Sequence, residues 1–313
     1  MLEELKNLVP KFLKPKIPLP QEISPYGVSQ PPQNNAVKIP RIVAVVNQKG
    51  GCAKTTSAIN VSACLAQMGH EVLLVDMDPQ ANASLGIGVD IDNLNTSIYD
   101  VLINNLGLDK IVVNTGVKGL DIAPASSVLS GAQLELADLL GRESILKIAL
   151  RKHCLIKQYD YIFIDCSPSL NLLTINALVA ANSILIPIQT HYYSLEGMRE
   201  LFSTIDIVRE RLNSELQILG IVATMFDGRT KLNRQMLQQI QEYFKEMVFK
   251  TVINNNIKLC EASLHKKPVT VYDGQSKGAR DYMNLAREIA GLPLEEVKDE
   301  VEPSPETAQQ GSV

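Results

Sequence analysis

The sequence predicts an α/β fold: one domain with a mainly parallel sheet flanked by helices on both faces. Short β-branched apolar runs alternate with longer segments of helical periodicity from residue 41 to about 293. Most of these runs are continuous rather than alternating, the pattern of strands buried on both faces. The first run passes through a Gly-rich turn straight into an apolar-periodic helix that stops near Gly69.

Composition sets the outer limits. Of 313 residues, 45% are apolar, 20% charged and 5% aromatic, with no Trp, so the chain can bury a core and is not disordered throughout. No stretch approaches the roughly 18 apolar residues of a bilayer span, and MLEELKNLVPKFLKPK lacks a signal peptide's apolar block, so a cytoplasmic protein is expected. Cys52, Cys64, Cys154, Cys166 and Cys260 are scattered without a CxxC pair, which points to free thiols rather than a disulfide framework or a local zinc site.

In chain order, residues 1–40 hold eight of the sixteen prolines and read as an extended arm. Leu2, Leu5, Leu8 and Val9 either start it with a short amphipathic helix or belong to a disordered leader. Strands are expected at 41–47, 72–76, 119–124, 161–165, 183–188 and 218–224. Two helical stripes follow, Leu195, Met198, Leu201, Phe202, Ile205 and Val208, then Leu232, Met236, Ile240, Phe244 and Met247. Residues 294–313 are expected to form an acidic, disordered tail. Residues 291–313 carry six acids against Lys298 alone, which masks a basic region at 225–290 with eleven Lys or Arg against seven acids.

The segment VVNQKGGCAKTTSAIN carries the chemistry. Gly50 and Gly51 let the backbone approach phosphate, the helix start presents unpaired N–H groups, Lys54 supplies a cation and Thr55 a hydroxyl for magnesium. The common G-x-x-x-x-G-K-[ST] pattern is not met, because Gln48 and Ala53 stand at its two glycine positions. The pattern K-G-G-x-x-K-[ST] is met, and with it the chain resembles the ParA/MinD group of deviant Walker A P-loop ATPases, ParA/Soj-type partition ATPases in particular. VLLVDMDPQANAS, YDYIFIDCSPSL, TMFDGRTKLNRQM and VINNNIKLCEASLHKKPV extend the resemblance over about 41–290 and favour ParA over MinD.

The resemblance implies a P-loop NTPase domain and a weak, magnesium-dependent ATPase stimulated by a partner. It assigns ATP to the loop formed by Lys49, Gly50, Gly51, Cys52, Ala53, Lys54, Thr55 and Thr56. Lys49 would reach across an ATP-dependent homodimer to the partner's phosphates, Lys54 would stabilise charge during transfer, and Asp78 would position the attacking water. Thr55, Asp76 and Asp165 would surround magnesium, although Asp76 can also be read as a cap at a strand end. Cys166 reads as a small core residue. Arg229 and Lys258 match positions that bind DNA without sequence specificity, placing the protein on the nucleoid with a ParB-like centromere-binding protein or a cargo adaptor.

The expected function is plasmid or chromosome segregation. ParA-like positioning of a protein cargo and a MinD-like membrane ATPase are the alternatives, but the acidic tail lacks MinD's basic amphipathic helix, and stable membrane association is not expected. An iron-protein-like reductase would need cluster cysteines, and a noncatalytic scaffold fits poorly with Lys49 and Asp78 in place.

Overall fold

Successive residues of a strand point to opposite faces of its sheet, so a continuous apolar run needs cover on both sides. The structure, a computed structural model, describes residues 39–191 and 197–294 and contains that arrangement. In chain order the strands are β1 Arg41–Val45, β2 Val72–Met77, β3 Val113–Asn114, β4 Leu120–Ala123, β5 Tyr161–Cys166, β6 Ser183–Gln189, β7 Gln217–Phe226 and β8 Val248–Asn254. They form one sheet in the order β3-β4-β2-β5-β1-β6-β7-β8. Every neighbouring pair is parallel except β3 with β4.

The helices are α1 Lys54–Gln67, α2 Asn82–Gly86, α3 Ile98–Leu102, α4 Ala132–Leu136, α5 Ile145–Cys154, α6 Leu172–Ala180, α7 Met198–Arg211, α8 Lys231–Phe244, α9 Ile257–Leu264, α10 Val269–Tyr272 and α11 Lys277–Ile289. Ala44, Leu73, Val75, Ile162, Ile164 and Ile186 pack on one face beneath α3 to α8. Val43, Val45, Leu74, Phe163 and Leu185 pack on the other, beneath α1, α2 and α9 to α11. Alternate residues of the same strands thus belong to two separate cores.

All six expected strands are present. The two that the sequence did not announce, β3 and β8, lie at the sheet edges. β3 is two residues long, and β8 carries Lys250 and Thr251 among its apolar residues and is only partly buried. The stripes of α7 and α8 bury Met198, Leu201, Phe202, Ile205, Met236, Ile240 and Phe244 as expected. Two members of the second stripe depart from it. Leu232 is 49% exposed, because an i, i+4 row winds around the helix and its first member leaves the face that the later ones bury. Met247 lies beyond the helix, in a 3-10 turn that Lys245 enters with φ 49°.

Cys166 packs in the first core. Burial pushes its thiol well up, and the nearby Asp165 adds to the effect. Of the five cysteines only Cys260 is exposed. No described helix is long and apolar enough to cross a membrane. The arm, the tail and Leu195 lie outside the described residues.

Candidate nucleotide site

The site is assembled at the carboxyl edge of β2, β5 and β1, three neighbours at the centre of the sheet. Asn47 turns the chain out of β1. Its side-chain amide donates to Pro187 O at 2.7 Å, and its Oδ1 accepts from Lys49 N at 3.0 Å. Gly51 (φ 70°) and Ala53 (φ 67°) are left-handed. A Cβ on Gly50 or Gly51 would meet nothing within 4 Å, so the loop leaves an open backbone cradle. Ala53 holds a conformation that costs an L-residue about 1–2 kcal/mol.

α1 begins directly after this loop with no side-chain cap and no acid in its first turn. Its first N–H groups and the positive end of its dipole therefore face the loop, as an anion site requires. Buried Lys54 donates through Nζ to Lys49 O at 2.9 Å, and the Cys52 thiol reaches the same carbonyl at 3.2 Å. Thr224 on β7 donates to Cys52 O at 3.1 Å, tying the loop to the sheet. Cys52 is buried as a wedge under the loop, and burial raises its pKa.

Asp76 and Asp165 pair in register on β2 and β5, one inter-strand spacing apart, and both are fully buried. Their surroundings differ. Asp76 Oδ2 accepts from Ser84 N (2.8 Å) and Ser84 Oγ (2.7 Å), and Oδ1 accepts from Asp78 N (3.1 Å). Burial still lifts its pKa to about 6 against these bonds. Among the described residues, neither carboxylate oxygen of Asp165 has a hydrogen-bond partner. Burial and then Asp76 drive its carboxyl well above the usual range, while Thr55 and Lys54, close by, act in the opposite direction. A doubly orphaned buried carboxylate beside a hydroxyl and an ammonium fits a hard divalent cation with phosphate, whose charges supply what the protein withholds. Asp78 is 7% exposed, and its Oδ1 accepts from Gln80 N at 3.0 Å.

Every residue expected at the nucleotide is thus gathered at this edge. Asn47, Ser84 and Thr224 were not expected. Asn47 stands at the strand end, where a turn-forming side chain is a readable signal. Ser84 and Thr224 are brought in by tertiary packing and leave no local mark.

Arg229 and Lys258 follow β7 and β8 at the far end of the same edge. Asn255 N donates to Phe226 O at 2.9 Å and joins their two loops. Asn254 is fastened to Asp281 on α11, and Asn256 caps α9 by accepting from Lys258 N at 2.8 Å. Both cations are held by acids beside them in sequence. Arg229 makes a two-pronged pair with Asp227, each contact 2.9 Å, which lowers the Asp227 pKa to about 2. Lys258 donates to Glu261 at 2.8 Å and lies 6.0 Å from the Tyr272 ring centre. A cavity of about 410 Å³ lies between the two groups, bordered by Thr55, Thr56 and Asn60 on one side and Leu259, Ser263 and Lys267 on the other.

Residues 40–218 match the family model described as an AAA domain, AAA_31. The sporulation initiation inhibitor protein Soj of Bacillus subtilis is 47% identical over 251 residues, covering 80% of this chain and 98% of that protein. The chain belongs to the Soj/ParA family of partition ATPases. The chromosome partitioning protein ParA of Myxococcus xanthus is 45% identical over 249 residues, covering 80% of this chain and 87% of its own. Among solved structures, one from Mycobacterium smegmatis, described as cobyrinic acid a,c-diamide synthase with bound ADP and magnesium, superposes with a TM-score of 0.70. It is 34% identical and covers 79% of this chain and 93% of its own. In this Soj/ParA-type ATPase, Lys49 and Lys54 are the two lysines of the deviant loop, and Asp165 stands one residue before the end of β5, the strand beside it.

Proposed function

We propose that this chain hydrolyses ATP as a magnesium-dependent homodimer and that the ATP-bound dimer carries chromosome or plasmid DNA partition by binding DNA without sequence specificity. The observation that carries the nucleotide half is Asp165, whose two oxygens lie orphaned beside Thr55 and Lys54 at the mouth of an open glycine cradle. Thr55 and Asp165 would hold magnesium, which supplies charge neutralisation at the phosphates. Asp76 would act behind them through its fixed carboxylate, since Ser84 and the Asp78 amide already engage both of its oxygens. The N–H groups of 50–56 would cradle phosphate, Lys54 would exchange Lys49 O for a phosphate oxygen, and Lys49 would reach the partner's nucleotide. Asp78 would orient water for in-line attack.

The DNA half is supported by Arg229 and Lys258, which follow neighbouring strands at one end of the site edge in loops joined by the bond from Asn255 N to Phe226 O. Dimerisation doubles this patch, so nucleotide state can switch DNA affinity through multivalency. A ParB-like, centromere-bound protein or a cargo adaptor would stimulate hydrolysis, and the protein would be nucleoid-associated in the cytoplasm. Binding to unrelated duplexes without nucleotide, with ADP and with ATP, across salt concentrations, tests the reading. Wild type and Asp78→Ala should both bind most tightly with ATP, with affinity falling as salt rises. An ATP-bound dimer that ignores DNA at every salt concentration removes the DNA half and leaves the ATPase.

A further inference from the structure

α5 lies on the opposite face of the sheet from α1 and α9. It buries Leu146, Leu150, His153 and Cys154, four positions on one helical stripe. The other side is exposed and of mixed character. Ile148, Leu155 and Ile156 are 51%, 73% and 68% exposed, and Lys147, Arg151 and Lys152 stand among them. Residues 145–158 contain no acid. The side chains of these three cations make no hydrogen bond or ion pair among the described residues, unlike Arg229 and Lys258, which are paired with Asp227 and Glu261. Beside the helix a cavity of about 170 Å³ opens between Leu106, Leu108, Ile148 and Ile156, with buried His153 in its wall. Among the described residues, neither nitrogen of His153 has a hydrogen-bond partner.

Exposed aliphatic side chains interleaved with unpaired cations fit an acidic, partly apolar peptide better than a nucleic-acid backbone, which needs only the cations. This chain contains such a peptide. Residues 295–306 hold Glu295, Glu296, Asp299, Glu300, Glu302 and Glu306 against Lys298, with Val297 and Val301 four positions apart. The last described helix, α11, also ends close to α5 in the fold. Ile289 O, at the end of α11, accepts from Arg41 Nη1 at 3.0 Å, and Arg41 N donates to Asp160 O at 3.0 Å, in the connection that leaves α5 for β5. Twelve residues can span about 40 Å, whereas a ten-residue helix is about 15 Å long.

We propose that the acidic segment 295–306 of this chain docks across the exposed face of α5. Its carboxylates meet Lys147, Arg151 and Lys152, and its valines cover Ile148, Leu155 and Ile156. The contact keeps the unpaired cations from polyanions, so that a DNA duplex finds only the Arg229 and Lys258 end of the molecule. This last consequence rests on the DNA reading above; the contact itself does not.

Zero-length carbodiimide cross-linking of the full chain, without nucleotide or DNA and mapped by mass spectrometry, tests it. Intrachain links from 295–306 to Lys147 or Lys152 are expected, with a yield that falls severalfold near 1 M salt, where the Debye length is about 3 Å. Lys147→Glu/Arg151→Glu/Lys152→Glu removes both amines with the positive charge and so ends these links by itself. Adding Glu295→Lys/Glu296→Lys/Asp299→Lys/Glu300→Lys to it should restore cross-linking, which a misfolded triple variant would not do. Links found only between chains of an isotopically mixed sample would overturn docking in cis, as would their absence. Flotation of the unmodified full chain with phosphatidylserine vesicles, abolished by the triple substitution, would assign the face to lipid and equally overturn it.

Discussion

The middle and the far end of one sheet edge solve opposite electrostatic problems. At β2 and β5 two carboxylates are buried side by side, and Asp165 is left without a hydrogen-bond partner among the described residues. Beyond β7 and β8 two cations stand near solvent, each matched to a neighbouring acid. Burial makes the first region costly until a cation and phosphate arrive, so specificity for the ligand is built into the fold. The second costs the fold almost nothing, since exposed ion pairs are worth little either way, and a polyanion must compete with Asp227 and Glu261 for each cation. A site made by desolvation is selective; a site made by exposed charge is permissive and governed by salt.

The largest effect is expected from removing the orphaned charge. Asp165→Asn should lower the rate of ATP hydrolysis at least about a hundredfold in a phosphate-release assay. Without magnesium the same variant should be as stable as wild type or more so, by up to about 2 kcal/mol in denaturant melts, because an unpaired buried carboxylate is lost. A large loss of stability instead would mean that Asp165 is structural. At the other region, Arg229→Ala/Lys258→Ala should leave hydrolysis nearly unchanged. It should flatten the slope of log affinity for DNA against log salt by up to about 3.6 for the four cations of a dimer. An unchanged slope would break the contrast, showing that the self-neutralised pairs never meet phosphate.

His153 is a control, a buried group on α5 whose ring nitrogens make no hydrogen bond among the described residues. Burial lowers its pKa, with Lys157 adding to this and Asp109 and Asp121 opposing it. The unfolded chain therefore takes up the proton first, so stability present above about pH 6.5 is lost as pH falls below it. His153→Phe, which preserves a ring against Tyr159, should flatten thermal stability between pH 7 and pH 5. The smallest effect is expected at the loop. Ala53→Gly relieves a left-handed alanine but loosens the unfolded chain, for a net gain of at most about 1 kcal/mol in denaturant melts.

What the sequence made legible follows from the range of the interactions. The six runs were readable because burial on both faces makes a central strand apolar along most of its length. β8 was not, because an edge strand tolerates Lys250 and Thr251. The loop and the two aspartates were readable because phosphate chemistry fixes residue types at short spacing. Their unequal treatment was not, since it depends on Ser84 bonding Asp76 while Asp165, with Thr55 and Lys54 close by, accepts no hydrogen bond among the described residues. Arg229 and Lys258 could be named from their motifs, but their pairing with Asp227 and Glu261 depends on side-chain geometry that spacing alone leaves open.

Cys260 alone among the five cysteines is open to solvent, two residues beyond Lys258 on α9. A maleimide dye added to the native protein would accordingly settle at a single place, with no engineered thiol and no cysteine removed. That place is the helix shared by the basic end and the cavity running back to Thr55, so its fluorescence would follow nucleotide and DNA from one fixed vantage.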